Sequence, residues 1–294
     1  MRLSKERKDL RNALFFISPW IVGFFLFTAY PLLMSLYYSF MDYNIIRSPE
    51  FIGLENYIKL FTGDSMFYKT LSNTFYMIFV GITAMTAVAI FVSILLNNKR
   101  IKGMAFFRVV FFLPTLVPLV ILAILWIWIL QSDSGVVNSF LGFFGIEGPG
   151  WFASPTWSKP SFILMGIWGS GNMIIIYLAG LQGISDSLYE AASIDGAGSV
   201  QKVFYVTLPM LKPMILFNVI TGIINMFQSF AEAFIITNGG PDGSTMFYSL
   251  YLYQNAFQYQ KMGYASAMAW VLLLIALAFT LLLFKLSKRW GYEE

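Results

Sequence analysis

Glu190-Ala191-Ala192-Ser193-Ile194-Asp195-Gly196, ten mixed residues, and then Thr207-Leu208-Pro209 form a polar island in a chain that otherwise alternates apolar runs with short loops. The local chemistry predicts a helix-turn-helix elbow. Ser185 or Ser187 can cap a short first helix, the latter as Ser187-x-x-Glu190 in capping-box spacing, and Asp186 adds favourable negative charge to its first turn. Gly196 and Gly198 are placed to end that helix, and Ser199 can cap a second short one reaching Val206. Pro209 then pre-sets the start of a long apolar segment.

Outward from the elbow, composition assigns the class. The chain is 58% hydrophobic and only 12% charged over 294 residues, with a mean hydropathy of +0.69. That is too apolar for a soluble domain, so an integral membrane protein is expected. There is no Cys and no His, which removes disulfides, thiolate catalysis, imidazole bases and the usual zinc sites together. No catalytic residue, metal site or cofactor is expected.

Six apolar runs are long enough to cross a bilayer, each above the roughly 20 residues a helix needs. They cover Leu14 to Phe40, Leu71 to Leu96, Phe106 to Leu130, Ser161 to Leu181, Pro213 to Ile236 and Tyr264 to Leu286. Pro19, Pro31, Pro114 and Pro118 fall inside them and predict kinks rather than breaks, because neighbouring helices can satisfy the carbonyls they free. The first run follows a basic stretch, but its length and the lack of a clear small-x-small cleavage site argue against a signal peptide.

Lys and Arg set the expected orientation. With the N-terminus inside, the cytoplasmic segments hold fourteen of them: five in Arg2 to Arg11, four in Lys99 to Arg108, Lys202 and Lys212, and three in Lys285 to Arg289. The outer segments hold five: Arg47, Lys59, Lys69, Lys159 and Lys261. Both termini are therefore expected in the cytoplasm, together with the Glu190 elbow. The basic N-terminus suits anionic lipid headgroups, and no nucleic-acid partner is expected. Three loops, Met41 to Thr70, Gln131 to Pro160 and Thr237 to Met262, face outward and are rich in Gly, Pro and aromatics.

The elbow resembles the signature of the membrane permease subunits of binding-protein-dependent ABC importers: Glu-Ala-Ala, three residues, Gly, nine residues, Ile, one residue, Leu-Pro. Glu190, Ala191, Ala192, Gly196, Leu208 and Pro209 match it, with Val206 in place of Ile. Further motifs look like the carbohydrate-importing branch. They are Ser18-Pro19, Tyr30-Pro31, Phe51-Ile52-Gly53-Leu54-Glu55-Asn56-Tyr57, Asn238-Gly239-Gly240-Pro241 and Met262-Gly263-Tyr264-Ala265-Ser266-Ala267.

The resemblance implies an all-α integral membrane protein of six transmembrane helices in the type I ABC importer (MetI-like) permease fold. It also implies a prokaryotic inner-membrane location. Its parts would be a cytoplasmic N-terminus (1–13), a first span (14–40) wrapping a permease core of five spans (71–286), a cytoplasmic coupling loop (184–208) and a cytoplasmic tail (287–294). The partners implied are a second permease subunit, two cytoplasmic ABC ATPase subunits and an extracytoplasmic solute-binding protein. The chain has no Gly-x4-Gly-Lys-Ser/Thr phosphate loop, so ATP hydrolysis would belong to separate subunits.

Within the fifth run, Asn218, Thr221, Gly222, Asn225, Gln228, Ser229 and Glu232 recur at three- and four-residue steps, which predicts one polar helix face. Such a stripe lines an aqueous path or packs against another subunit, since unpaired polar groups in hydrocarbon cost several kcal/mol each. Glu232, an acid within a span, marks a candidate site. Sugar hydroxyls suit these side chains, and Phe227, Phe230 and Trp168 are candidate rings for stacking on a sugar face. The alternatives are a permease for a non-sugar solute such as glycerol phosphate, or an ion-coupled carrier; a carrier would show repeated halves and several buried carboxylates, where this chain has essentially one.

Overall fold

A computed structural model describes residues 2–98 and 102–288, and the side chains of residues 7–98 and 102–286. Lys99, Arg100, Arg289 and the tail from residue 289 lie outside the described residues. Helix dominates, as the apolar runs require in a solvent that cannot satisfy an open backbone. Four long helices pass as membrane spans: Arg7–Ser39, Ser65–Leu96, Ser199–Phe227 and Met262–Leu286. Two bent pairs complete the six, Met104–Leu116 with Leu119–Ile129 and Ser158–Trp168 with Gly171–Gln182.

The bends correct the expectation of mere kinks in the third run. Its halves meet at 103°, because Val117 (φ −77°, ψ 125°) and Pro118 (φ −56°, ψ 138°) are both extended. A residue before proline is pushed out of the helical region, and the closely spaced Pro114 and Pro118 leave no uninterrupted turn between them. Pro19, by contrast, stays inside a continuous helix, and Pro31 follows a widened π-turn at Phe25–Ala29. The fourth run bends by 48° at Gly169 and Ser170, a Gly/Ser pair of the kind that favours kinking. The fifth stops at Phe227 and resumes as Ala231–Ile236.

Two compact units are present. The smaller comprises residues 1–64 and 252–273. In it Met41–Asp42 pairs antiparallel with Glu50–Phe51, and Asn56 donates to the carbonyls of Ser39 (3.0 Å) and Met41 (2.9 Å). The Tyr57 hydroxyl bonds Ser39 Oγ at 2.7 Å, and the Gly263 amide donates to the Tyr43 carbonyl at 3.1 Å. The motifs around Phe51–Tyr57 and Met262–Ala267 are thus two sides of one small assembly.

The larger unit comprises residues 65–251 and 274–294. Here Thr83–Leu96 packs along Gly171–Gln182, which packs on Leu208–Phe227, while Ala231–Ile236 packs on Leu119–Ile129. Buried Ala89, Val92, Ile174 and Leu178 fill the first of these seams. Trp126, Phe162, Ile163, Phe247 and Leu250 fill a second core. The turn around residues 237–248 is tied to the helices beside it. Asn73 Nδ2 donates to the carbonyls of Gly243 (2.8 Å) and Met246 (3.1 Å), Lys159 donates to Asn73 Oδ1 (3.0 Å), and Ser158 and Ser244 share a hydrogen bond of 2.8 Å.

Candidate functional site

The elbow is built as two short arms with a fixed bend. Asp186–Ile194 is capped by Ser185, whose Oγ accepts from the Ser187 amide at 3.3 Å. The Ser187 capping box does not form, since Ser187 is already in the first turn and its hydroxyl pairs with that of Ser185 at 2.7 Å. The arm ends at Asp195, and Gly196 turns left-handed at φ +82°. The Gly196 amide then reaches the Ser193 carbonyl (3.1 Å) and the Ala197 amide the Ala192 carbonyl (2.9 Å), the two bonds of a Schellman ending.

The second arm starts at Ser199, with Gly198 rather than Ser199 in the capping position; the Gly198 amide donates to Gln201 Oε1 at 2.8 Å. It does not stop at Val206. A π-turn at Val203–Thr207 carries it into Leu208–Phe227, so a single helix of 29 residues runs from Ser199 to Phe227. The widened turn lies immediately before Pro209, whose nitrogen cannot donate to the preceding turn.

Two hydrogen bonds tie the arms: Tyr189 with Thr207 at 3.0 Å, and Lys202 Nζ to Ser193 Oγ at 2.6 Å. Beneath them Leu181, Ile184 and Leu211 form a buried apolar seat for Tyr189 and Val206. Sequence reading passed over these clamps, because each pair is 9 to 18 residues apart and meets only when the elbow folds. Glu190, Ala191 and Gly196 are exposed, while Ala192, Leu208 and Pro209 are half-buried. Ile194 at 87% and Tyr205 at 79% exposure add apolar surface that the motif alone does not mark.

The polar stripe is brought together as the wall of a cavity of about 700 Å³. Asn218, Thr221, Gly222 and Asn225 line it from Leu208–Phe227, Ser229 from the break, and Glu232 from the first turn of Ala231–Ile236. Ser229 Oγ donates to Glu232 Oε2 at 3.3 Å. The stripe is therefore not one helical face, and Gln228 does not share the cavity: it ends the helix, its amide bonded to the Asn225 carbonyl at 3.1 Å. Ser170 and Asn172, at the bend of the fourth span, join the lining instead. Their signal was Gly169-Ser170-Gly171-Asn172 interrupting an apolar run.

The stacking rings are also corrected. None of Phe227, Phe230 and Trp168 lines the cavity. Phe227 is buried against Phe75 and Phe279, Phe230 stacks on Phe234, and Trp168 meets Trp126 edge-on. Phe217 takes their place in the lining.

Residues 85–292 match the family described as "Binding-protein-dependent transport system inner membrane component". The chain belongs to that family. As such a component it is a multi-pass membrane protein and a transporter subunit rather than an enzyme. It is 44% identical to the probable ABC transporter permease YesP of Bacillus subtilis (strain 168), over 98% of this chain and 94% of that one. It is 36% identical to the lactose transport system permease LacF of Rhizobium radiobacter, over 96% of each. Among solved structures, a chain of the bacterial alginate ABC transporter, crystallised with an alginate pentasaccharide-bound periplasmic protein, superposes with a TM-score of 0.85 at 26% identity, covering 98% of both chains. The six helical segments thus form an ABC importer permease fold of the expected type.

Proposed function

We propose that this permease carries a sugar or oligosaccharide, received from an extracytoplasmic binding protein, through the cavity lined by Asn218, Thr221, Asn225, Ser229 and Glu232. One of two ATPase subunits would dock on the elbow around Glu190, and a second permease subunit would complete the path. The observation that carries this reading is the single helix Ser199–Phe227, which bears the elbow at one end and the cavity wall further along. Hydroxyl-rich cargo fits a wall of amides and hydroxyls. Among the described residues, the lining contains one carboxylate and neither Lys nor Arg, which favours a sugar over a phosphate ester. The exposed Ile194, Val200 and Tyr205 beside small Ala191 provide the elbow with surface for a partner to bury. The family name and the lactose and alginate relatives support a binding protein and a carbohydrate.

Asn225→Leu is expected to lower uptake of the sugar bound by the cognate binding protein at least about ten-fold, because a hydroxyl loses its partner and meets a methyl group. Gln228→Leu, outside the cavity, should leave uptake within about two-fold of wild type. Uptake into proteoliposomes decides between them, with co-purification of the partner subunits as the control for assembly. Intact uptake in Asn225→Leu would remove the cavity from the path, and loss of the partners would make it a subunit seam. Orientation has its own check: reporter fusions after Lys202 should read cytoplasmic and fusions at Asp242 external, following the excess of Lys and Arg inside. An external reading at Lys202 would remove the elbow from any ATPase.

A further inference from the structure

The loop between the third and fourth helical segments contains a short helix, Val136–Phe143, whose two sides are committed differently. On one side Val137 packs on the core around Trp126 and Leu130. Beside it Asn138 Nδ2 donates to the carbonyls of Ser132 (2.7 Å) and Pro149 (3.1 Å), and its Oδ1 accepts from Trp151 Nε1 at 2.6 Å. These bonds fix which side turns outward. Val136, Phe140 and Phe143 recur at i, i+4 and i+7, a single helical stripe, and all three are exposed, Phe143 at 85%. Phe144 follows them, meeting the rings of Phe140 (5.2 Å) and Phe143 (5.4 Å) edge-on.

A contiguous apolar stripe held open to water is costly, about 1.5–3 kcal/mol for each large side chain, so it needs a cover. Two observations say which. Residues 134–146 carry no charge, and the residues that flank them, Asp133 and Glu147, are both acidic; a protein partner would look for a hydrogen-bonding rim, and between Val136 and Ile146 the exposed polar side chain is Ser139 alone. The helix also packs on Leu119–Ile129, a membrane-crossing half-helix that itself exposes Val120, Ile121, Ile124 and Trp128. The stripe is thus attached to a surface made for lipid. We propose that Val136–Phe143 is an interfacial helix, lying along the outer leaflet with Phe140 and Phe143 sunk just below the headgroups. Acidic residues at both ends stay in water and disfavour an anionic surface, so the lipid that fits is zwitterionic. The choice of leaflet rests on the orientation proposed above; the contact with lipid does not, nor does it depend on which solute is carried.

The chain has no Cys, so a single introduced thiol can carry a nitroxide label without competition from this subunit. Phe143→Cys and Glu147→Cys would each be labelled in the full complex, its partner subunits freed of cysteine, in phosphatidylcholine nanodiscs. Spin relaxation by oxygen, which concentrates in the bilayer, is then compared with relaxation by a nickel chelate, which stays in water. The oxygen-to-nickel ratio should be several-fold higher at position 143 than at position 147. A ratio at 143 equal to that at 147 would overturn the proposal and leave the stripe as a water-facing surface open to the soluble binding protein. Weak relaxation by both reagents at 143 would overturn it as well, because a protein subunit would then be the cover. Should Phe143→Cys not assemble, Phe140→Cys carries the same comparison. A cytoplasmic reading of the Asp242 fusion would instead overturn the orientation and the leaflet named here, while the collision ratio still decides whether the stripe meets lipid.

Discussion

A complex carrying Gly196→Val is expected to insert and assemble normally yet lose most of its binding-protein-stimulated ATP hydrolysis and uptake. Gly196 sits at φ +82°, and a Cβ there would meet nothing within 4 Å, so crowding is not the difficulty. Backbone conformation is: a left-handed non-glycine residue costs about 1–3 kcal/mol, with β-branched side chains among the least tolerant. The bend at stake holds the Ala192 and Ser193 carbonyls through the Ala197 and Gly196 amides, and relaxing it frees the two arms to change angle. Asn tolerates the same region, so Gly196→Asn should keep a substantial part of the coupling. Ala192→Ser, which alters no backbone requirement, should cost less. The measurement is ATPase activity with and without binding protein. Full stimulation in a Glu190→Ala, Gly196→Val double variant would sink the coupling role.

The second large effect concerns stability rather than transport. Gly263 lies in the first turn of Met262–Lys288, and a Cβ on it would stand 2.0 Å from the Met41 carbonyl oxygen and 3.1 Å from that of Tyr38. Both obstacles are backbone, so no rotamer change relieves them, and the Gly263 amide is already committed to the Tyr43 carbonyl. Gly263→Val should therefore destabilise the smaller unit by about 3 kcal/mol, the upper part of the range for overpacking. Gly23→Val is the matched control, since nothing lies within 4 Å of a Cβ there. Heating the purified complex and following its loss from a gel-filtration peak reads the difference. Equal transition temperatures for the two variants would show that the chain around Met41 can withdraw freely.

Much of the architecture was legible because hydropathy and length are local properties. The six apolar runs mark the helical segments, and the Glu-Ala-Ala spacing places the elbow between the fourth and fifth. The failures share a cause. Whether Pro114 and Pro118 kink or break a helix depends on what the freed carbonyls meet, and periodicity carries no information on that. The single polar face expected from Asn218 to Glu232 assumes one helical period across Gln228–Phe230, where the helix stops, so Gln228 falls outside the cavity lining and Asn172, on another span, joins it.

The unbroken path from Ser199 to Asn218 also fixes a mechanical ratio. At 1.5 Å per residue it measures about 29 Å, so a tilt of about 5° at the elbow displaces the far end by about 2.5 Å if the helix moves as a rod. That stroke is comparable to the length of one hydrogen bond. On the function proposed above, a movement too small to reshape the elbow itself would thus suffice to change the contacts around Asn218, with the π-turn at Val203–Thr207 lying in the path between them.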